Sequence, residues 1–266
     1  MEAGSDTTRN QNNLLVAAAA SDPSWIAAVR AQLDSVCGAN AERLPTYDDM
    51  PRLPLIQATI KESLRWRPNL TEAGFPHRLT EDLEFEGYKF EKGTIFTTNS
   101  WYIHLNPKEY EDAVNFRPER YLDEHLNDPL QGHWGFGAGI PSSFCDLTFV
   151  FSAGSNHFLG RRVCVGYHVA ARNMFIVFAR LLYCFDFVQD PVPSISVPTI
   201  MCLTVFQNDP IDTMRIPVQT GPKPPFPVTI RPRSKAHADL ILRECKGVAD
   251  ELERMNLEGK NAVKAI

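Results

Sequence analysis

The stretch GRRVCVG at residues 160–166 is the sharpest local signal in the chain. It sets Cys164 in a glycine-bracketed, arginine-rich loop, directly before the strongest predicted helix, residues 165–187. Glycine lets a backbone fold closely around a bulky planar group. A cysteine at a helix N-terminus beside two arginines is expected to be held as a thiolate, which suits a soft metal centre. The alternative is a buried Cys164 that only caps the helix, and the heptapeptide alone leaves both open.

Hydrophobic periodicity upstream of this loop predicts further helices. Apolar residues recur at helical spacing in three segments, at residues 14–20, 25–37 and 53–66. The second of these helices is predicted to begin at a cap formed by Ser21-Asp22-Pro23, and Gly38 is predicted to end it. The chain is therefore predicted to be mainly α-helical.

Three other segments have a different texture. Residues 74–100 contain short apolar runs separated by tight-turn residues, which predicts a small antiparallel sheet. Residues 191–234 are rich in proline and strand-like, whereas residues 236–258 are predicted to form a polar helix. The predicted fold class is mainly α with a small β region.

Composition excludes several classes of protein. The chain has 266 residues, a net charge of −5, 44% hydrophobic residues and 22% charged residues. These values are typical of a globular protein, and the negative charge argues against nucleic acid as a partner. The six cysteines form no C-x-x-C pair and are predicted to be reduced. The first residues lack the features of a signal peptide, and no apolar run reaches the ~18 residues of a membrane-spanning helix.

Three further motifs are weak when each is taken alone. Glu62 and Arg65 stand at positions i and i+3 of one predicted helix, which is typical of a surface ion pair. The segment FRPERY at residues 116–121 could be any loop. The segment AGSDTT at residues 3–8 sets an acid beside hydroxyls after a glycine, a combination that can open a polar notch in a helix.

The order of these motifs carries more information than any one of them. An acid–alcohol notch, an E-x-x-R helix, an F-x-P-x-R loop, a cysteine loop and a long helix follow one another along essentially the whole chain. This order closely resembles the C-terminal half of a fungal, membrane-bound cytochrome P450. The resemblance implies the C-terminal part of the cytochrome P450 fold and a haem-thiolate monooxygenase that inserts one oxygen atom from O2 into an organic substrate.

The resemblance also implies roles for individual residues. Cys164 would be the axial ligand of the haem iron, in a cysteine loop that includes Phe136 and Gly166. Arg162 and His77 would bind the haem propionates.

Other matched positions serve the protein around the haem. Glu62, Arg65 and Arg120 would form the family's structural ion network behind the cysteine loop. Asp6 and Thr7 would deliver protons to dioxygen, and residues 69–75 would line the substrate side of the haem.

The family further implies partners and a location. A flavin-containing NADPH reductase would dock on the cysteine side, the substrate would be a small organic molecule, and the step would belong to fungal secondary metabolism. The full-length relative would sit in the endoplasmic reticulum membrane. The resemblance starts inside the family's distal helix, so residues 1–266 are expected to be one truncated haem-binding domain without the N-terminal anchor that would provide its membrane contact.

The cysteine loop departs from the family pattern, because residues 140–160 interrupt it. Joining Gly139 to Arg161 would restore the run FGAGRRVCVG that the family has. The residue pairs at both borders can be encoded across intron splice signals, and Ser155-Asn156 can encode a branch site. We therefore interpret residues 140–160 as a translated, unspliced intron, and a genuine surface insertion is the alternative.

Two other interpretations compete with a working enzyme. The chain could be a catalytically inactive truncated fragment, from a pseudogene or a mis-assembled gene. A zinc site of His157, Cys164 and His168 is disfavoured, since the spacing is awkward and two arginines would repel the cation. The lone His104 and His133 are predicted to be surface or turn residues.

Overall fold

The computed structural model of the protein describes residues 2–68, 76–137, 163–189 and 228–247. The α-helices in these ranges are α1 (Glu2–Ser21), α2 (Ile26–Cys37), α3 (Pro54–Trp66), α4 (Ser100–His104), α5 (Tyr167–Cys184) and α6, which covers the helical residues 235–247. Short 3-10 helices cover Tyr47–Arg52 and Pro118–Tyr121. The strands are β1 (His77–Arg78), β2 (Leu83–Phe85), β3 (Tyr88–Phe90), β4 (Ile95–Phe96), β5 (Phe185–Gln189) and β6 (Val228–Pro232). The mainly helical prediction is confirmed.

The strands pair into three small antiparallel sheets. β2 and β3 form a hairpin whose two turn residues, Glu86 and Gly87, both have positive φ, as the tight turn of a twisted hairpin requires. β1 pairs with β4, so the small sheet predicted between residues 74 and 100 is present as two separate pairs. β5 pairs with β6 across a long stretch of sequence.

Two predicted helix boundaries were wrong. The helix predicted over residues 165–187 ends at Cys184, because Phe185–Gln189 extends into β5 and pairs with β6. The helix predicted to begin at Pro23 starts at Ile26 instead, since the Asp22 carboxylate accepts the Ser24 N–H in a local turn. Its C-terminus was predicted correctly, and Gly38 has a φ of 91° there.

The core forms where α5 packs against α1, α2 and α3. Its fully buried members include apolar side chains at helical spacing: Leu15, Ala19, Val29, Leu33, Ile56, Phe175, Phe178 and Leu182. Burying such side chains is the main favourable contribution to folding. This packing fixes α3 against α5, and the N-terminus of α5 follows Cys164.

The β5–β6 pair is attached to α2 by charged contacts. Arg233, next to β6, donates to both carboxylate oxygens of Asp34 in α2 at 2.9 Å each, and its main-chain N–H donates to the Cys184 carbonyl. Arg30 reaches Asp186 in β5 at 2.7 Å. The two ion pairs join residues that lie far apart in sequence.

Cysteine and membrane features can be stated for the described ranges. Cys37, Cys164, Cys184 and Cys245 are all free thiols, as the sequence predicts, while Cys145 and Cys202 lie outside these ranges. None of the helices described is both long and apolar enough to span a bilayer.

Candidate functional site

A buried ion network lies on α3. The Arg65 guanidinium donates to both carboxylate oxygens of Glu62, at 2.7 and 2.8 Å, and both side chains are fully buried. Arg120 approaches the same carboxylate at 3.2 Å from the 3-10 helix Pro118–Tyr121. The Glu62–Arg65 motif taken alone predicted a surface ion pair, and that prediction was wrong. The two side chains have the usual i, i+3 spacing of a surface pair, but they lie inside the protein because α3 is buried on all sides over this turn.

Main-chain groups complete this network. Arg65 also donates to the carbonyls of His104 and Ala113, at 2.9 and 2.8 Å, and Glu62 accepts the N–H of Arg117 at 2.8 Å. A buried ion pair stabilises a protein only when its remaining donors and acceptors are satisfied. The network therefore fixes α3, α4 and residues 111–121 relative to one another.

The cysteine loop is closed by a hydrogen bond between residues far apart in sequence. The N–H of Cys164 donates to the carbonyl of Phe136 at 2.9 Å, and the carbonyl of Cys164 accepts the N–H of Tyr167 at 3.2 Å. The Phe136 ring is buried, 6.2 Å from that of Tyr167. Cys164 itself is exposed, so the interpretation as a buried helix cap was wrong.

An apolar surface adjoins the Cys164 thiol. Val165 and Val169, near the start of α5, are exposed by 101% and 73%. A β-carbon added at Gly166 would make an ordinary contact with the Cys164 sulfur, at 3.9 Å, so this residue lies directly beside the thiol. A thiolate-capable sulfur among exposed aliphatic groups fits a planar apolar cofactor with a soft metal.

The other predicted site residues lie elsewhere or outside the described ranges. Asp6 and Thr7 are on an exposed part of α1, where the Asp6 carboxylate lies 3.1 Å from the Arg9 guanidinium. The Thr8 hydroxyl donates to the Gly4 carbonyl at 3.2 Å within an unbroken helix. His77 is partly buried and opposite Phe96 in the β1–β4 pair. Arg162, residues 69–75 and the segment 140–160 lie outside the described residues.

The zinc alternative gains no support from the described part of the chain. No group of three His, Cys, Asp or Glu side chains there could hold a metal ion, and His157 lies outside it.

Two buried histidines were missed by the sequence analysis. His104 and His133 were predicted to lie on the surface or in turns, whereas their side chains are 0% and 5% exposed. The His104 Nε2 accepts the N–H of Trp134 at 2.9 Å, and the His133 Nδ1 accepts the N–H of Gly135 at 3.0 Å. The Trp134 N–H lies 30 residues from His104 in sequence, so no local pattern indicated this contact.

Both histidines are expected to make folding sensitive to mild acid. Burial lowers the pKa of both His104 and His133 from 6.5 to about 3; Arg65 acts in the same direction on His104, and His104 and Lys61 do so on His133. Between pH 6.5 and 3 the unfolded chain binds the additional protons, so stability falls as the pH falls through that range and is fully present above it. We expect urea unfolding at pH 5.5 to give a free energy of unfolding that is lower than at pH 7.5 by about 1–3 kcal/mol.

The matched variant for this prediction is His104→Gln, which keeps an acceptor that does not titrate. It should remove about half of the difference between the two pH values. Equal stability of the unmutated chain at pH 7.5 and 5.5 would contradict the assignment of two neutral, buried imidazoles.

Comparisons with known proteins agree on one family. A family model described as Cytochrome P450 matches residues 1–141. Cytochrome P450 monooxygenase 79 of Postia placenta is 34% identical over 264 residues, which are 97% of this chain and 42% of that protein. Cytochrome P450 monooxygenase yanC of Aspergillus niger is 33% identical over 252 residues, 95% of this chain and 43% of that protein. The chain thus spans less than half the length of these relatives.

Solved structures show the same likeness. A zebrafish cytochrome P450 structure with abiraterone matches with a TM-score of 0.58 and 26% identity, covering 87% of this chain and 46% of that one. A second zebrafish structure, with progesterone, matches with the same TM-score. The predicted fold class is confirmed by this likeness.

Proposed function

The chain belongs to the cytochrome P450 family, and from this we propose that it forms the cysteine-side half of a haem-thiolate monooxygenase with Cys164 as the iron ligand. The observation that carries the proposal is the exposed Cys164 thiol in a loop closed by the Phe136 carbonyl, at the start of α5. The whole enzyme would insert one atom of O2 into an organic substrate. A bound haem with a thiolate ligand would supply the oxygen activation.

The residues around Cys164 are suited to hold this group. The exposed sulfur would ligate the iron, while Val165 and Val169 would be covered by the porphyrin. Gly166 lies beside the sulfur, and the Phe136 carbonyl holds the Cys164 main chain. Arg162 and His77 would pair with the propionates, a role that their cationic or hydrogen-bonding side chains allow.

The test of the ligand is a haem titration of the 266-residue chain. We expect one haem per chain and, after reduction under carbon monoxide, the strongly red-shifted Soret band of thiolate ligation. A reduced carbon monoxide complex without that band would count against Cys164 as the ligand.

The ion network would hold the cysteine loop from behind. Glu62 and Arg65 are fully buried, Arg120 is mostly buried, and the network holds α4 and residues 111–121 against α3. We assign them a structural role, because their charges are already satisfied inside the protein and none is free to act on a substrate.

Asp6 and Thr7 are proposed to deliver protons to the oxygen side of the site. Both are exposed on α1, and an acid beside a hydroxyl can relay a proton through water. In the whole enzyme during turnover of a substrate, we expect Thr7→Ala to raise the hydrogen peroxide released per O2 consumed by about tenfold or more, because electrons no longer go into product. The measurement is peroxide released per O2 consumed, with Thr8→Ala as the neighbouring control. An unchanged ratio would remove Thr7 from the relay.

Partners and location follow from the family. We propose a flavin-containing NADPH reductase as the electron donor, a small organic substrate from fungal secondary metabolism, and the endoplasmic reticulum membrane as the location of the whole enzyme. Reduction of the haem by NADPH in the presence of a fungal microsomal reductase tests the partner. Reduction by dithionite but not by this system would contradict it.

We further propose that residues 140–160 are an unspliced intron within one haem-binding domain. Two observations support this: the Cys164 N–H to Phe136 carbonyl bond joins residues on either side of the segment, and the family-model match ends at residue 141. With these residues removed, a short loop would connect Phe136 to Cys164, whose main-chain oxygen and nitrogen are already 2.9 Å apart.

Deleting residues 140–160 is therefore expected to raise haem retention. We expect the deletion variant to keep thiolate-ligated haem through gel filtration at several times the yield of the unaltered chain. Sequencing the mature transcript gives an independent result, since a spliced message that still encodes these residues contradicts the intron. A deletion variant that loses haem would make the segment a genuine part of the protein.

The catalytically inactive truncated fragment is the second candidate. It predicts that neither the chain nor its deletion variant takes up haem with a thiolate signature. Haem binding by either form contradicts a dead fragment, so one titration separates the two candidates.

A further inference from the structure

His104 joins the ion network to the cysteine loop, and it does so with two different groups. Its carbonyl accepts from Arg65 at 2.9 Å, and its imidazole Nε2 accepts the N–H of Trp134 at 2.9 Å. The side chain is completely buried at the end of α4. A single residue therefore contacts both the charged network on α3 and the segment that leads to Cys164.

A continuous series of hydrogen bonds runs from this imidazole to the cysteine. The Trp134 carbonyl accepts the N–H of Gly137 at 2.9 Å, which closes a tight turn in which Gly137 has a φ of 85°. The carbonyl of Phe136, inside that turn, accepts the N–H of Cys164 at 2.9 Å. The imidazole thus holds the first residue of the turn that binds the Cys164 main chain.

This contact places strict demands on the side chain. The nitrogen that accepts must be unprotonated, so the imidazole must be neutral with its proton on Nδ1. Burial keeps the pKa of His104 at about 3, and the neighbouring Arg65 charge acts in the same direction. The titratable or charged groups near it include Arg65, which is buried and paired with Glu62, and His133, which is also buried.

We propose that His104 is a positioning residue, whose Nε2 sets the Trp134–Gly137 turn and through it the orientation of the Cys164 main chain for iron ligation. The role in iron ligation rests on the proposed function, whereas the contact between His104 and the Trp134–Gly137 turn does not depend on haem. Arg65 stabilises the fold through the ion network, whereas His104 holds the Trp134–Gly137 turn in place relative to that network.

Three substitutions of His104 test whether the position of the acceptor atom matters, or only the presence of a polar side chain. In His104→Gln the amide oxygen can reach the place of Nε2, and in His104→Asn the oxygen reaches only the place of Nδ1. His104→Leu has no acceptor. The control is the exposed His125, changed to Gln and to Leu, because its ring lies at the surface.

The first readout is amide hydrogen exchange of the 266-residue chain without haem, in peptides that cover Trp134 and Cys164. We expect exchange to rise about tenfold in His104→Leu and His104→Asn, and to stay within about twofold of the unmutated chain in His104→Gln. The His125 variants should be unchanged. Equal exchange in His104→Gln and His104→Asn would overturn the proposal, and so would unchanged exchange in His104→Leu.

The second readout is the ligand of added haem in the reduced carbon monoxide complex. The thiolate-type fraction should fall at least severalfold in His104→Asn and recover in His104→Gln. If exchange follows the predicted pattern while no form binds haem through thiolate, the proposed function fails and the positioning geometry stands. If thiolate ligation is the same in all three variants, His104 does not position the ligand. Should His104→Leu fail to fold, the Gln and Asn pair still gives the decision.

Discussion

Replacing Cys164 with alanine is expected to abolish the thiolate-type absorption of the reduced, carbon monoxide-bound protein. The sulfur at this position is exposed beside aliphatic side chains, and its main chain is fixed by Phe136 and Tyr167. Removing it leaves the proposed iron site without its anionic ligand, and of the other cysteines in the described ranges Cys37 and Cys184 are buried while Cys245 lies in α6. We expect complete loss of the signal rather than a partial decrease.

The matched control is Cys245→Ala, because Cys245 is also an exposed free thiol but lies in α6. It should leave the absorption unchanged. Far-ultraviolet circular dichroism shows whether Cys164→Ala keeps its helices, so loss of the band can be assigned to the ligand. If the band survives in Cys164→Ala, the ligand assignment is wrong.

The second large effect is expected at Glu62. In Glu62→Ala the guanidiniums of Arg65 and Arg120 lose the carboxylate between them, and Arg65 stays fully buried. Breaking a buried ion pair on one side leaves an uncompensated charge, at a cost of about 3–5 kcal/mol. Because domains are stable by only about 5–15 kcal/mol, such a loss is a large fraction of the free energy of unfolding. Urea unfolding followed by tryptophan fluorescence measures the loss.

A pair of the same spacing on α1 provides the control. Asp6 and Arg9 also stand at i and i+3, at 3.1 Å, but their side chains are 56% and 54% exposed. Arg9→Ala should change the unfolding free energy by less than about 1 kcal/mol, because exposed pairs contribute little. Similar losses in Glu62→Ala and Arg9→Ala would contradict the importance of burial at α3.

Periodicity predicted the helices well where the local sequence also marks their ends. Proline and the apolar positions Ile56, Ile60 and Leu64 define α3, and the positive φ at Gly38 ends α2. Such signals are local, so they can be read without knowing what packs against the helix. The family likeness was equally readable, because it depends on the order of motifs and not on contacts.

Burial of polar residues could not be read in this way. Glu62, Arg65 and His104 have partners that lie up to 55 residues away, and a helix that is polar in sequence looks exposed. The C-terminal end of α5 was predicted wrongly for a related reason, because β5 forms by pairing with β6, which is distant in sequence. Both errors concern contacts between distant segments, which local patterns do not contain.

The contact between Asp34 and Arg233 has a consequence for synthesis of the protein on the ribosome. The two residues are 199 positions apart, and Arg233 also donates to the Tyr183 carbonyl. Until Arg233 has been synthesised, Asp34 in α2 and the Tyr183 carbonyl in α5 lack this guanidinium as a partner. Over the same period β5 lacks its partner strand β6. The apolar layers can collapse earlier, but the native topology is completed only after β6 leaves the exit tunnel.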